Sequence, residues 1–212
     1  MLVITHSFPT AAENMKFDET LVGSTTPRLF RIYRWQKAGI TYGHSQSPSQ
    51  ELSGFDASSR ITGGGLVFHS PGDLVFSWAG SVHDILFGKR VKEKLVWASE
   101  FFITAFSRLD IPLYRAAQPE KELNLTFCHT YFSPYELYFG KEKIVALSLR
   151  KFRDRFLIQG IIHLFSNKES FGSVPQYAPY WSEGLAGIQP GKENAIQDFL
   201  VLASKTICTA SS

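Results

Sequence analysis

Arg60-Ile61-Thr62-Gly63-Gly64-Gly65-Leu66-Val67-Phe68-His69 sets three consecutive glycines between a cation and a run of strand-forming residues. Glycine weakens a strand interior and adds no packing, so a triple glycine points to a requirement of the backbone. Two readings stand open: a flexible hairpin turn, or a loop whose N–H groups approach a ligand, often an anionic one. The stretch is no Walker loop, because no Gly-Lys-Ser/Thr follows. It is no dinucleotide fingerprint either, because a strand rather than a helix comes next.

Just downstream, Ser70-Pro71-Gly72-Asp73 is a turn sequence joining predicted strands over 66–68 and 74–78. His69 and Asp73 would need helical geometry to hold one metal ion together, and Pro71-Gly72 forbids it. A loop-orienting histidine and no metal site are expected. Upstream, 47–59 is rich in Ser, Pro and Gly and reads as a loop or broken turn, with predicted strands over 29–35 and 40–42 before it. Thr10-Ala11-Ala12-Glu13 is a capping-box sequence. It opens a short amphipathic helix through Met15, Asp18 and Leu21 to Gly23.

Further on, the spacing of Ile85, Val91, Leu95, Phe102, Ala105, Phe106 and Leu109 predicts a helix over 83–109 that Pro112 ends. Predicted strands follow over 123–128, 136–139, 144–149 and 156–164, with Gly140-Lys141-Glu142 as a tight connection. The segment 175–190 is proline-punctuated loop with room for a short helix near Glu183, and 194–207 is a final helix. The order of helix, strands, helix, strands, helix indicates an α+β class, a mixed sheet with flanking helices.

The chain has 212 residues, 44% hydrophobic and 19% charged, which suits one globular domain over 1–212. Eighteen Phe, eight Tyr and four Trp suit a large apolar core or pocket. No apolar run reaches a membrane span, and the opening Met-Leu-Val-Ile-Thr-His lacks a basic n-region. Two cysteines, Cys128 and Cys208, form neither a disulfide framework nor a zinc pattern. The default location is cytoplasmic. A net charge of +3 is too mild to argue for nucleic acid but tolerates an acidic protein partner. The basic run 89–94 reads as a solvated face or as a dock for an acidic carrier domain. Asn124-Leu125-Thr126 matches a glycosylation sequon that carries no meaning in a cytosolic chain. Taken alone, Lys143 beside Gly140-Lys141-Glu142 reads as a turn cation, and Cys128 as inert packing in an apolar strand.

Three blocks resemble the biotin/lipoate ligase catalytic domain, on its lipoate-protein ligase A and octanoyltransferase side. Arg60 to His69 with Gly72-Asp73 and Ser77 is similar to the family's Arg-Arg-x-(Ser/Thr)-Gly-Gly-Gly-x-Val-x-His. Gly140 to Ala146 is similar to its Gly-Lys-Lys-(Ile/Val)-x-Gly. Tyr33-Arg34-Trp35 with Gly43-His44-Ser45-Gln46 is similar to its Tyr-x-Trp and Gly-x-x-Gln. The blocks run in family order and cover about residues 10 to 200. Ser59 stands at the family's first arginine, Ala146 and Leu147 at a glycine and a small residue, and Gln159-Gly160 at a His-Gly.

The resemblance implies roles. Lys143 would face an acyl-adenylate, its compact ammonium offsetting charge on the carboxyl and phosphate oxygens. Gly63, Gly64 and Gly65 would supply backbone donors, and Arg60 would pair with the phosphate or the acid. His69, Asp73 and Ala146 complete the implied binding set. Cysteine-dependent octanoyltransferases of the same group show Cys, then Pro-Ser-x-Tyr-Glu, then the lysine fifteen residues after the cysteine. Here Cys128 precedes Ser133-Pro134-Tyr135-Glu136, with Lys143 at that spacing. A thiolate near Lys143 would have a lowered pKa and would attack a thioester carbonyl.

The implied activity is attachment of an octanoyl or lipoyl group to a lysine of a lipoyl domain. Cys128 as acyl-enzyme is the preferred route, and an ATP-dependent ligase with Mg2+ is the alternative. Implied partners are lipoyl domains of 2-oxoacid dehydrogenases or the glycine cleavage protein, and acyl carrier protein on the cysteine route. Nucleic acid and membrane are not implied, and a monomer without a C-terminal accessory domain is the simplest expectation. A biotin ligase is a weaker option. Ser59, Leu147 and Gln159 motivate a further one, a degenerate member that binds an acyl ligand or carrier without turnover.

Overall fold

The computed structural model describes residues 1–115, 126–129, 132–187 and 191–206. In chain order the elements are β1 (Leu2–Ile4), α1 (Ala11–Gly23), β2 (Arg28–Arg34), β3 (Gly39–Tyr42), β4 (Asp56–Ser59), β5 (Val67–His69) and β6 (Leu74–Ser81). Then come α2 (Val91–Ser107), β7 (Tyr114–Arg115), β8 (Leu137–Phe139), β9 (Glu142–Lys151), β10 (Arg155–Ile162), α3 (Asn167–Phe171) and α4 (Glu193–Thr206). Seven strands form one sheet in the order β1-β2-β6-β10-β9-β8-β7, and three form a second, β4-β3-β5. The parallel pair β1–β2 joins antiparallel neighbours in the large sheet, and β4 lies parallel to β3 in the small one. The architecture is therefore α+β with a mixed sheet, as the order of elements indicates.

The two-residue period of β6 sorts the layers. Leu74, Phe76 and Trp78 join the main core with Phe102 and Phe106 of α2 and Leu200 of α4. Much of the aromatic load is spent here: Phe30 stacks on Trp78 with ring centroids 4.6 Å apart, and Phe76 meets Phe102 at 4.6 Å. The alternate residues Val75, Ser77 and Ala79 face α1 and the small sheet. The candidate site lies on that second side.

Helix α1 starts where the sequence indicates. Thr10 accepts from the Glu13 N–H and Glu13 returns a bond to the Thr10 backbone. Its buried face carries Ala11, Met15, Asp18 and Leu21. Other expectations shift. The predicted helix over 83–109 begins only at Val91, because Gly88 adopts a positive φ of 83° and a separate 3-10 turn precedes it. Ile85 is consequently 78% exposed rather than part of the buried face. Of the basic run, Lys94 turns inward, donating to the Gly88 carbonyl and lying 5.0 Å from the Phe156 ring centroid.

The 47–59 loop contains β4, whose register against β3 pairs Tyr42 with Ser59. Its Asp-Ala-Ser-Ser sequence has no strand propensity; β3 supplies the order. Residues 2–4 form an edge strand that the opening sequence did not suggest. The helix expected near Glu183 is replaced by a 3-10 segment at Pro175–Tyr180, with α3 before it. Of the strand expected over 123–128, residues 123–125 lie outside the described set, as do most of the sequon and Cys208. The remainder makes a single parallel bridge, Phe127 with Leu66.

Candidate active site

The glycine loop, the 126–129 segment and the hairpin β8–β9 meet around a cavity of about 200 Å3. Each glycine of the loop answers to a different demand. Gly64 has φ +93°, the left-handed region that other residues occupy at a cost. A side chain on Gly65 would lie 2.7 Å from the Cys128 nitrogen and 2.8 Å from the Thr126 carbonyl oxygen. That contact exists because Leu66 N–H donates to Thr126 O at 2.7 Å and Cys128 N–H to Leu66 O at 2.8 Å. Around the Cβ position of Gly63 there is open space. No described residue accepts from the N–H groups of these three glycines. The 43–46 block packs on the same loop, with His44 N–H donating to Thr62 O.

Arg60 folds back under this loop. Its guanidinium donates to Thr41 Oγ1 at 2.7 Å and to the carbonyls of Gly65 at 2.7 Å and Gly63 at 3.3 Å. Arg60 is 8% exposed, and among the described residues no carboxylate lies within ion-pair distance of it. Burial pulls its pKa down to about 10. A buried cation held only by neutral oxygens keeps capacity for an anion. His69 accepts or donates at Thr41 Oγ1 through Nε2, at 2.7 Å, and stacks on Trp35 at 4.2 Å. Burial, then His163 and Arg60, hold it neutral with a pKa well below the usual range.

Across the cavity, Lys143 and Glu136 are 1% and 2% exposed and pair at 2.6 Å. Lys143 Nζ also donates to the Cys128 carbonyl at 2.5 Å, and the Cys128 thiol donates to Glu136 Oε1 at 3.6 Å. The Cys128 pKa is not lowered as expected beside Lys143: burial raises it to about 12, the neighbouring Glu136 charge adds to that, and the pull of Lys143 and Arg60 is outweighed. Burial likewise lifts Glu136 to about 7, against the pull of Lys143. Lys143 feels burial in the opposite sense, but Cys128, Glu136 and Tyr138 outweigh it and leave its pKa above the ordinary lysine range. Lys143 is an ammonium at neutral pH.

Thus Arg60, Gly64, Gly65, His69, Cys128 and Ala146 all line one cavity, and Lys143 reaches two of its walls through Cys128 and Glu136. Val67, Ala146 and Ile161 form an apolar strip against Cys128. Asp73 stands apart. It accepts from the N–H groups of Ser70, Leu164 and Phe165, locking the β5–β6 turn to the end of β10. Among the described residues no group of three or more His, Cys, Asp and Glu side chains is placed to hold a metal ion.

The departures from the family pattern find places too. Leu147 alternates with Ala146 and Ser148 on β9, and its side chain belongs to the core under α2. Ser59 ends β4 with its side chain exposed. Gln159 is a structural link: it accepts from Thr62 Oγ1 at 2.9 Å and donates to Asp18 at 2.9 Å. Asp18 in turn accepts from Ser77 at 2.6 Å and pairs with the fully buried Arg31 at 2.6 Å. The glycine loop is thereby tied through Gln159 to α1.

Sequence reasoning named Glu136 only within a motif and passed over Thr41, Met15 and Ser148. The hairpin register held a signal for Glu136. Lys143 pairs with Tyr138 beside a register shift, and Glu136 stands immediately before β8, close to that pair.

A search of curated proteins returns no match. Among solved structures, lipoate-protein ligase A bound with ATP superposes with a TM-score of 0.78 at 15% identity, covering 98% of this chain and 85% of that one. LipL1 from P. falciparum in complex with lipoate gives 0.71 at 12% identity, over 100% of this chain and 63% of that one. The bipartite lipoate protein ligase from Thermoplasma acidophilum, described with its E2 lipoyl domain, gives 0.63 at 16%, over 98% and 83%. At these identities the likeness is one of fold. The model of the lipoyl protein ligase A/B catalytic domain, however, matches residues 10–199. This chain belongs to that family.

Proposed function

We propose that the protein transfers an octanoyl or lipoyl group to a lysine of a lipoyl domain, with Cys128 carrying the acyl group between donor and acceptor. The observation that carries this reading is the meeting of Cys128 and Glu136 on the wall of one cavity, with Lys143 bonded to both from behind it. The apolar strip of Val67, Ala146 and Ile161 suits the hydrocarbon chain, with the acyl carbonyl at Cys128 Sγ. The Lys143 ammonium and the N–H groups of Gly63–65 would offset charge that develops on the carbonyl oxygen. An octanoyl thioester of acyl carrier protein is the donor this chemistry fits, and a lipoyl domain of a 2-oxoacid dehydrogenase or the glycine cleavage protein the acceptor. A Thermoplasma relative of the same fold is described with such a domain.

A second reading is ATP-dependent ligation of lipoate or octanoate. It is favoured by the buried Arg60 cation with no described acidic partner, beside a glycine turn whose N–H groups donate to no described residue. Both features suit a phosphate, and a structure of the same fold is described as bound with ATP. Mg2+ would then arrive on the nucleotide and neutralise phosphate charge. Arg60, the glycine turn and Lys143 would hold and orient the mixed anhydride.

One assay separates the readings. Purified protein is incubated with a lipoyl domain and either octanoyl-carrier protein or octanoate with Mg-ATP, and the product is read by intact mass. Cys128→Ser and Lys143→Ala are run with each donor. Thioester-dependent transfer that falls to background in Cys128→Ser is the expected result. ATP-dependent transfer that survives Cys128→Ser but not Lys143→Ala would establish the ligase instead. No transfer from either donor, with ligand still bound, would make the chain a binding module.

A further inference from the structure

Glu136 does more than a counter-ion for Lys143 requires. A buried ammonium needs one carboxylate oxygen, and Oε2 supplies it at 2.6 Å. The other oxygen, Oε1, faces Cys128 Sγ at 3.6 Å and accepts its thiol hydrogen bond. A carboxylate charge beside a thiol disfavours the thiolate, so as a static neighbour Glu136 opposes the nucleophile that the cavity would need. The conflict disappears if the proton moves along the hydrogen bond already drawn. The groups facing this pair are Lys143 and Tyr138 from the hairpin β8–β9 and Arg60 from the glycine loop, while His129, next to Cys128 in the chain, lies against Lys143 and Glu142.

We infer, on the acyl-transferase reading above, that Glu136 is a catalytic residue that takes the Cys128 thiol proton as Sγ attacks the donor thioester. In that step the S–H bond breaks and Oε1–H forms. The Sγ–carbonyl bond forms, the carbonyl–sulfur bond of the donor breaks, and the departing sulfur leaves as a thiol with the proton from Oε1. In the second half the neutral ε-amine of the target lysine attacks the Cys128 thioester. Its surplus proton passes to Oε1 and then to Sγ as the amide forms. Lys143 remains an ammonium throughout, and neither step needs an oxidant, a reductant or a metal.

The test follows acyl-enzyme formation by rapid quench and intact mass with octanoyl-carrier protein, from pH 5.5 to 9. Wild type, Glu136→Gln, Glu136→Asp and Cys128→Ser are compared, each with a thermal unfolding curve. Wild-type acylation is expected to rise across neutral pH, with Glu136→Gln slower by on the order of 100-fold and Glu136→Asp between them. A folded Glu136→Gln that acylates within threefold of wild type, or faster, would overturn the inference. That is the counter-ion outcome, because the Lys143 ammonium without the Glu136 charge beside it would favour the thiolate. If Glu136→Gln loses its cooperative unfolding, the wild-type profile decides: a rise through neutral pH supports proton transfer to Glu136, and a profile that stays flat up to pH 9 refutes it. If the wild type forms no acyl-enzyme at all, the transferase reading falls and this one with it. That result differs from a wild type that acylates and a glutamine variant that keeps pace.

Discussion

At the scale of single residues, the three adjacent glycines make separable predictions. Gly65→Ala drives a methyl group against the backbone of 126–128, atoms that cannot rotate away. A loss of about 1–3 kcal/mol is expected from urea unfolding, with the m-value unchanged. Gly63→Ala enters open space and is expected to stay within about 0.5 kcal/mol of wild type. Equal losses in the two variants would contradict the close approach of Cys128 to the loop. The need for special backbone at 63–65 was legible in the triple glycine itself. Its main cause was not, because the segment pressing on Gly65 comes some sixty residues later in the chain. Glu136 was hidden for a related reason. Beyond its place in a motif, a lone carboxylate shows no role until a hairpin brings it across from a lysine.

At the scale of elements, Asp73 holds the turn between β5 and β6 and also reaches the backbone at the end of β10. Asp73→Ala would leave three buried N–H groups without an acceptor. A loss of about 3 kcal/mol or more is expected in urea titration, with acyl transfer by the protein that remains folded largely retained. Abolished transfer in a fully stable variant would instead make Asp73 a participant in the chemistry. The amphipathic elements were legible because their signals are local: the capping box of α1, the Ser-Pro-Gly-Asp turn and the apolar period of α2 each lie within a few residues. β4 was not, since Asp56-Ala57-Ser58-Ser59 becomes a strand only because β3 offers it a partner. The start of α2 was misjudged because Ile85 and Val91 continue the apolar spacing, while Gly88 breaks the backbone between them.

At the scale of the whole molecule, burial of titratable groups sets the response to acid. Burial holds His69 well below its usual pKa and His129 down to about 3, so as pH falls below about 6.5 each takes up a proton first in the unfolded chain. Stability from these groups falls as pH drops below that value, by about 1.4 kcal/mol per pH unit for each. Glu136, lifted to about 7 by burial, acts with the opposite sign, since between about 4.5 and 7 it keeps its proton only when folded. The three together leave a net loss equivalent to about one histidine between pH 6.5 and 5. His69→Gln is expected to flatten that slope in urea titrations at the two pH values. A slope as steep as that of wild type would show that His69 is not the group held neutral.

The order of the large sheet has a consequence for synthesis. β6, the sequence Leu-Val-Phe-Ser-Trp-Ala-Gly-Ser, pairs with β2 on one side and with β10 on the other. On the ribosome β2 is already made, but β10 emerges about seventy residues later, roughly 4 to 15 seconds at ordinary elongation rates. For that interval a strand that is buried along nearly its whole length in the finished sheet has one open edge. A nascent chain in that state is a natural client for a chaperone that shields exposed β-structure.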